Sequence, residues 1–517
     1  VEFLRGEIVS GNEVKQKHGT EWNKLYSRMV QTCLQLQRKS EAWEYTERSK
    51  TRILTELLAT RNLYPAGDIP PDIRTRLQTL RQAIATAQQT LELTTAKRTS
   101  EPSETEESHL TDRLYQLRQE YNDLDPIQPV QFDDITSILD GDTAIWEWYI
   151  TSDRFYTFIL THQQPDPQIW TSSPADLEQL EAWMNDYLAA YYAPRQAKTK
   201  DERQVLQKQW GDSLFSRMEE LAKILHIDEL LSFLPDTIQQ LILIPHQYLH
   251  LLPLHALPVR RDSATEWLYL LDIFPNGIRY APSCQLLHQI QPKQRPNFSR
   301  LFALQTPTDD LYEQDLGLVS ALKCQFPESF VLKEAAAKAS TLLHKNEPQK
   351  NELNSTITLH PNLAAAHCLF YFGHGKFDPI SVLDSGLQLA DDTLSIADII
   401  AHFDLKYCRL VTLAACETNL TKVSDTSDEY LSLPFAFLLA GSTNVVGSLW
   451  VITAMTTAFL MAKFYENLEF QDSSSRYFLS IALKSAQQWL RDTTVSEFRQ
   501  WIPAAKLHPA WKIEFDE

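Results

Sequence analysis

The sequence has 517 residues, of which 43% are hydrophobic and 22% are charged, and its formal net charge is -19. This length predicts roughly two to four domains, and the negative charge disfavours nonspecific binding to nucleic acid. No apolar run reaches about 18 residues and no signal-peptide pattern follows Val1, so the sequence predicts neither a membrane span nor secretion.

The N-terminal region is predicted to be entirely helical. Apolar residues recur at helical spacing over 21–62 and predict a helical hairpin, the unit of tetratricopeptide repeat (TPR) arrays. No repeat period is evident, so residues 1–66 are interpreted as a TPR-like region or as a helical docking platform without repeat ancestry. Residues 67–128 predict a second helical hairpin and a linker, interrupted by the acidic stretch 101–108. The start at Val1 rather than Met is compatible with further repeats upstream.

An α/β half is predicted over residues 129–292. A β-hairpin and a later buried strand are indicated by apolar and β-branched runs at 144–150, 155–160 and 240–245. Three histidines follow the last run, at His246, His250 and His255. Their surroundings are apolar, and no Cys or carboxylate shares their spacing. We therefore predict no metal site there.

The remaining residues, 293–517, alternate short apolar runs with helical patterns. The predicted strands are 302–304, 330–332, 369–372, 410–413 and 444–449. One of the predicted helices spans 335–345. Such alternation favours a mostly parallel sheet with helices on both faces, and ligands of such sheets bind at the carboxyl ends of the strands.

Six cysteines are scattered along the chain without metal-ligand spacing. So few cysteines suit free thiols in a reducing compartment, and we expect a cytoplasmic protein without a cofactor. Cys416 differs from the others because it follows an apolar run directly and precedes the polar residues 417–419.

A catalytic pair is predicted where two apolar runs end on His374 and Cys416. A nucleophilic thiol needs a base or a cationic neighbour, and an imidazole supplies either. Gly373 and Gly375 let the backbone turn around His374, and the amides of Gly375 and Cys416 could form an oxyanion hole. This arrangement is typical of a cysteine protease. No carboxylate stands out as a third member, so we predict a dyad.

Five motifs in order give the chain a family resemblance. They are Phe372-Gly-His-Gly-Lys-Phe-Asp-Pro379, Ser385-Gly-Leu-Gln-Leu389, Ala415-Cys-Glu-Thr418, Leu433-Pro-Phe-Ala-Phe-Leu-Leu-Ala-Gly441 and Val445-Val-Gly-Ser-Leu-Trp450. From about Asp142 to the C-terminus the chain resembles the CHAT family, caspase-like and separase-related peptidases named for caspases and the TPR-associated cyanobacterial protein HetF. The resemblance implies a caspase-like α/β fold with a noncatalytic pseudo-caspase half, a catalytic half and an N-terminal all-α region.

The predicted function is that of a cysteine endopeptidase that cleaves a specific partner protein with the dyad Cys416–His374. Two alternatives stay open. The chain could be an inactive scaffold that kept the fold and binds partner proteins, or its thiol could serve another chemistry such as acyl transfer. No nucleic acid or membrane partner is expected, and a regulatory protein is expected to dock on the N-terminal helices.

The substrate pocket departs from the family pattern. In relatives an acidic pair follows the Ser-Leu-Trp triplet and resembles the pocket of Arg-preferring separase, whereas here Trp450 is followed by Val451-Ile-Thr-Ala-Met455. The candidate pocket residues Trp450, Thr453 and Ala454 offer no carboxylate to a substrate Arg, so we predict a tolerant or apolar pocket. The polar loop 419–429 is interpreted as a gate beside Cys416 or as a solvated loop.

Overall fold

The computed structural model places two five-stranded sheets after a helical N-terminal region. It describes residues 12–60, most of 72–90, 104–124, 130–162, 164, 166–259, 267–290, 295–308, 317–345, 357–376, 378, 381–415, 432–450, 453–468 and 476–504. Among the helices in these ranges, none combines the length and apolar character that crossing a membrane requires.

The N-terminal region contains the predicted helical hairpins. Helices α1 (Asn12–Gln35) and α2 (Lys39–Thr60) pack against each other across a short turn. Helix α3 (Glu104–Leu124) contacts helical residues of the segment 72–90, where Leu114 packs on Ile84 and Ala87. A short helix, α4 (Phe132–Ile138), leads into the first sheet.

The first sheet has the order β3-β2-β1-β4-β7. Its elements in chain order are β1 (Thr143–Ile150), β2 (Phe155–Thr161), β3 (Gln168–Thr171), α5 (Pro174–Gln196), α6 (Lys200–Ile224), α7 (Ile227–Ser232), β4 (Gln240–Ile244), the small hairpin β5 (Pro258–Val259) and β6 (Leu268–Tyr269), α8 (Leu270–Ile273), β7 (Ile278–Tyr280) and α9 (Cys284–Ile290). Strands β1, β2 and β3 are antiparallel, whereas β4 and β7 run parallel to β1. The predicted hairpin and buried strand are thus confirmed.

Strand β1 is buried over its whole length because helices cover both faces of the first sheet. Trp146 and Trp148 point to the core shared with α5 and α6, where Leu180 and Leu221 lie. The alternate residues, such as Tyr149, share a second core with α2 and α4. The period of two along a strand sends its side chains to opposite faces, so β1 joins the N-terminal helices to the sheet.

A buried ion cluster, formed by Glu47, Lys50 and Glu147, fixes α2 to β1. The Lys50 Nζ atom lies 2.7 Å from Glu147 Oε1, and Trp43 Nε1 donates a 2.6 Å hydrogen bond to Glu147 Oε2. Glu47 accepts hydrogen bonds from the backbone N–H groups of residues 284 and 285 at the start of α9. Burial, reinforced by the charge of Glu147, raises the pKa of Glu47. No local sequence pattern predicts this long-range cluster.

The second sheet is entirely parallel and has the order β17-β16-β12-β8-β9. Its elements in chain order are β8 (Arg300–Gln305), α10 (Leu318–Lys323), β9 (Glu328–Lys333), α11 (Ala339–Leu342), β10 (Leu343–Lys345), β11 (Ile357–Leu359), α12 (Pro361–Ala364), β12 (Cys368–Phe372), β13 (Gly375–Lys376), β14 (Gly386–Gln388), β15 (Thr393–Ser395), α13 (Ile396–His402), β16 (Leu410–Ala414), α14 (Leu433–Leu439), β17 (Val445–Val446), α15 (Ala454–Asn467), α16 (Phe478–Asp492) and α17 (Val495–Ala504). All five predicted strands are present, the last one shorter than predicted. Helices α13 and α14 lie on one face, and α10, α15, α16 and α17 on the other.

The predicted helix over 335–345 is wrong. This segment contains a 3₁₀ turn at Glu334–Ala336, the single helical turn α11 and the strand β10, which pairs antiparallel with β11. Ala-rich sequence favours a helix locally, but pairing with a distant strand overrides that preference.

Helix α16 belongs to the second half but also packs against the first sheet near β7. The buried Lys484 donates a 2.7 Å hydrogen bond from Nζ to the Phe274 carbonyl oxygen. Arg491 Nη1 lies 2.9 Å from an Asp272 carboxylate oxygen. Polar contacts of this helix therefore help to join the two halves.

Candidate active site

The carboxyl ends of β12 and β16 lie side by side. These strands are parallel neighbours, and Phe372 at the end of β12 pairs with Ala414 at the end of β16. His374 follows Phe372 by two residues, and Cys416 follows Ala414 by two residues. The register thus directs the chain towards His374 and Cys416 from the same edge of the second sheet.

Cys416 and the predicted gate loop 419–429 lie outside the described residues. The residue before the cysteine, Ala415, is buried, and its carbonyl oxygen accepts a hydrogen bond from the Ser448 hydroxyl. Ser448 follows β17, the strand on the other side of β16. The backbone just before position 416 is therefore fixed by a hydrogen bond from the segment that follows β17.

Two hydrogen bonds hold the backbone of the half-buried His374. The Tyr371 hydroxyl donates a 2.8 Å hydrogen bond to the His374 carbonyl oxygen. The backbone N–H group of Gln388 donates a 3.0 Å hydrogen bond to the same atom. Burial raises the pKa of Tyr371, which keeps its hydroxyl protonated as a donor. The sequence predicts neither contact. An aromatic residue in an apolar strand looks like an ordinary core residue, and only the fold brings the backbone of Gln388 to His374.

Gly375 occupies a position whose N–H group points away from its strand partner. Strand β13 pairs antiparallel with β14, and Gly375 stands opposite Leu387. The backbone N–H group of Gln388 donates to the His374 carbonyl oxygen. Gly375 and Leu387 therefore form a non-hydrogen-bonded pair of this ladder. The Gly375 amide is thus directed outwards from β14, at the residue next to His374.

Gly373 is required by space rather than by an unusual backbone angle. A Cβ atom there would lie 2.4 Å from the Tyr371 hydroxyl oxygen and 2.5 Å from Cζ of the same ring. Moving the Tyr371 ring away from this Cβ atom would break the hydrogen bond from its hydroxyl to the His374 carbonyl oxygen. The predicted reason, a turn of the backbone that favours glycine, does not hold, because φ of Gly373 lies outside the left-handed region.

Gly373→Ala should lower the free energy of unfolding by about 1–3 kcal/mol, because the added methyl group overpacks the Tyr371 ring. Chemical denaturation of both proteins measures this change. Gly211→Ala is the matched control, since a Cβ atom at Gly211 meets nothing within 4 Å. The control, in helix α6, should be slightly stabilising. Equal stabilities of Gly373→Ala and wild type would contradict the packing argument.

A cavity of about 680 Å³ lies between the two halves beside the end of β16. The second half contributes Leu413 and Ala414 from β16, together with the predicted pocket residues Trp450 and Thr453. Helix α6 and the segment 253–256 contribute the opposite wall. The side chain of Ala454, the third predicted pocket residue, lies outside the described residues.

His255 contributes an imidazole ring to the cavity wall. Its Nδ1 atom lies 2.9 Å from the Tyr280 hydroxyl, and its Nε2 atom lies 3.5 Å from the Gln487 amide nitrogen. Burial lowers the pKa of His255 to about 4, so the ring is neutral near pH 7. No Asp or Glu is among the described residues that line the cavity.

Comparison with known proteins identifies the family. A model of the CHAT domain matches residues 217–509, which is more than half of the chain. The chain belongs to the CHAT domain family. Its caspase-like α/β fold is the predicted one, a mostly parallel sheet flanked by helices and preceded by an N-terminal all-α region.

Two solved structures similar to this CHAT protein are crystal structures of the Saccharomyces cerevisiae separase–securin complex, at 2.6 and 3.0 Å resolution. Both matched chains are 13% identical to it, with TM-scores of 0.44 and 0.45. The matches cover 95% and 94% of this chain and 48% and 47% of the other. The CHAT protein thus spans about half the length of the chains it matches. The search of curated proteins gave no match.

The three histidines of the CHAT domain that invite a metal interpretation serve separate contacts. His246 Nδ1 accepts a 2.9 Å hydrogen bond from the Ile150 amide. Burial, together with the nearby charge of Lys50, lowers the pKa of His250. His255 lies in the cavity wall, as described above.

One group of potential metal ligands exists among the described residues, formed by Glu47, Glu147 and Cys284, whose ligand atoms lie within 4.8 Å of one another. Their atoms already have protein partners, because Lys50 and Trp43 donate to Glu147, and backbone amides donate to Glu47. The Lys50 ammonium supplies the positive charge that a metal would bring. These residues fit an ion cluster and do not fit a metal site.

Proposed function

We propose that this CHAT protein is a cysteine endopeptidase that cleaves a specific partner protein with the dyad Cys416–His374. The observation that carries the proposal is the parallel register of β12 and β16, because the two strands end at one sheet edge, two residues before His374 and two residues before Cys416. The outward amide of Gly375 supports its role in an oxyanion hole, together with the amide of Cys416.

In the proposed reaction, His374 removes the proton from the Cys416 thiol, and the sulfur attacks the carbonyl carbon of the scissile peptide bond. The negative oxygen that results is stabilised by the two backbone amides. The C–N bond then breaks, and His374 returns its proton to the leaving amine. Water adds to the thioester with His374 as base, and the C–S bond breaks to release the carboxyl product and the thiol.

We assign the catalytic half to residues 293–517 and the noncatalytic, pseudo-caspase half to 129–292. Residues 1–66 and 67–128 form the proposed TPR-like region and second helical hairpin. One face of the first hairpin is occupied by the first sheet, so a regulatory protein would dock on its remaining surface. Five cysteines among the described residues are free thiols, which supports the proposed cytoplasmic location.

An electrophilic peptide probe should modify Cys416 selectively. Burial raises the pKa values of Cys33, Cys284 and Cys368, and it raises the pKa of Cys408 to about 11. These buried thiols stay protonated at neutral pH and react slowly. Mass spectrometry of the labelled protein, digested into peptides, identifies the modified cysteine.

The exposed Cys324 is the remaining site where the probe could react. Cys324→Ser should therefore leave labelling of Cys416 unchanged, whereas His374→Ala should slow it. Labelling of Cys416 at the same rate in wild type and His374→Ala would exclude the dyad and favour the inactive scaffold.

A further inference from the structure

The cavity between the halves has the composition of an apolar side-chain site. Its walls include Leu413, Trp450 and Met461 from the second half and Met218 from the first. Phe215, which also lines the cavity, is 40% exposed and packs edge-on against Trp267. Because this ring both lines the cavity and is exposed to solvent, it gives an apolar group a path from solvent into the cavity.

The polar groups of the described residues in these walls carry no charge. They include the hydroxyls of Ser448, Thr453 and Thr457 and the Gln487 amide. The His255 ring is neutral near pH 7 because burial lowers its pKa to about 4. A buried guanidinium or carboxylate needs a counter-charge, and the described lining residues supply none to either.

The cavity lies beside the carboxyl end of β16, the strand that leads to the proposed nucleophile. Leu413 and Ala414 belong to its wall and are the last residues of β16, and the chain reaches Cys416 two residues later. Ala415 lies between Ala414 and Cys416 in the sequence. Its carbonyl oxygen accepts a hydrogen bond from the hydroxyl of Ser448, another wall residue. A group that occupies this cavity therefore lies beside the end of β16, two residues before the proposed nucleophile in the sequence.

We infer that this cavity binds the substrate side chain that precedes the scissile bond, and that it selects large apolar side chains such as Leu, Met and Phe over Arg, Lys, Asp and Glu. The inference rests on the proposed endopeptidase function and names its substrate class. Transfer of such a side chain from water into apolar surroundings favours binding by roughly 10- to 100-fold.

Thr453 offers a substitution that adds charge and preserves the fold. Its side chain is the N-cap of α15 and accepts a hydrogen bond from the Thr456 amide. Asp and Asn are both good N-caps, so either should keep the start of the helix. Thr453→Asp places a carboxylate at the cavity wall, and Thr453→Asn is its uncharged match.

The experiment uses N-acetylated tetrapeptides that differ only in their last residue, which is Leu, Met, Phe, Arg, Lys, Asp or Glu. Saturation-transfer NMR measures their binding to the full chain carrying Cys416→Ala, which needs no catalysis. The same peptides with a C-terminal coumarin amide measure cleavage by the chain with an intact Cys416. Both measurements are repeated with Thr453→Asp and Thr453→Asn.

We expect Leu, Met or Phe peptides to bind at least tenfold more tightly than charged ones. Thr453→Asp should raise binding of Arg and Lys peptides at least tenfold, and Thr453→Asn should keep the wild-type order. This binding pattern without any cleavage would support the cavity assignment and count against the endopeptidase function. Preference for a charged residue in either measurement, or no binding of any peptide, would overturn the inference. Cleavage after Arg would do so while leaving the endopeptidase function intact.

Discussion

His374→Ala should lower the rate of substrate cleavage by about 100- to 10,000-fold, which is the usual contribution of general acid–base catalysis. Without the imidazole the thiol stays mostly protonated, and the leaving amine departs without a proton donor. Cys416→Ala should abolish cleavage altogether, because no covalent intermediate can form. Incubation of each variant with candidate partner proteins, followed by mass spectrometry of the fragments, measures the loss.

The control for this prediction is another histidine of the second half. His344 is exposed on β10, and His344→Ala should cleave at the wild-type rate. Circular dichroism of all three variants should match that of wild type, since His374 is held through its backbone carbonyl oxygen. Cleavage that survives in Cys416→Ala would refute the assignment of the nucleophile.

Lys50→Met should lower the free energy of unfolding by about 3–5 kcal/mol, the cost of leaving a buried charge without its partner. Both side chains of the Lys50–Glu147 pair are at most 3% exposed, and the ammonium is the positive member of the buried ion cluster. Removing it leaves two carboxyl groups, Glu47 and Glu147, close together inside the protein without the positive charge beside them. Denaturant titration followed by tryptophan fluorescence measures the change.

Two further variants separate this effect from general damage. Arg38→Met breaks an ion pair with Glu41 in which both side chains are more than half exposed, and it should change stability by less than about 1 kcal/mol. The double variant Lys50→Met with Glu147→Leu removes both charges of the buried pair and should be more stable than Lys50→Met alone. A double variant less stable than either single one would contradict the charge argument.

The sequence was sufficient to predict the strands of the second sheet and the position of His374 at its edge. Runs such as 369–372 and 410–413 are rich in apolar, aromatic and β-branched residues, as a strand covered on both faces requires. The order and register of the strands could not be predicted, because both depend on contacts between residues far apart in the chain. The dyad, whose cysteine lies outside the described residues, stays a prediction.

The positioning of His374 and the buried ion cluster could not be found from local patterns. Tyr371, in an aromatic strand, has the sequence context of an ordinary core residue. Only the fold brings the backbone of Gln388 to the His374 carbonyl oxygen that Tyr371 also contacts. Glu147 interrupts an otherwise apolar strand, which was the one signal available. Its partner Lys50 lies on a helix nearly 100 residues earlier, in a sequence typical of a solvated face.

Helix α16 has a consequence for how the protein is made. It supplies Lys484, which contacts the first half, but it is synthesised long after β7. Domains generally fold as units while the chain emerges from the ribosome. Here the first half lacks part of its cover until α16 arrives, and the cavity lacks Leu483 and Gln487 from its wall until the same moment. Completion of the first half and completion of the proposed substrate cavity thus depend on the same helix. A nascent chain that stops before α16 carries the proposed catalytic residues without part of the surface that we propose selects the substrate.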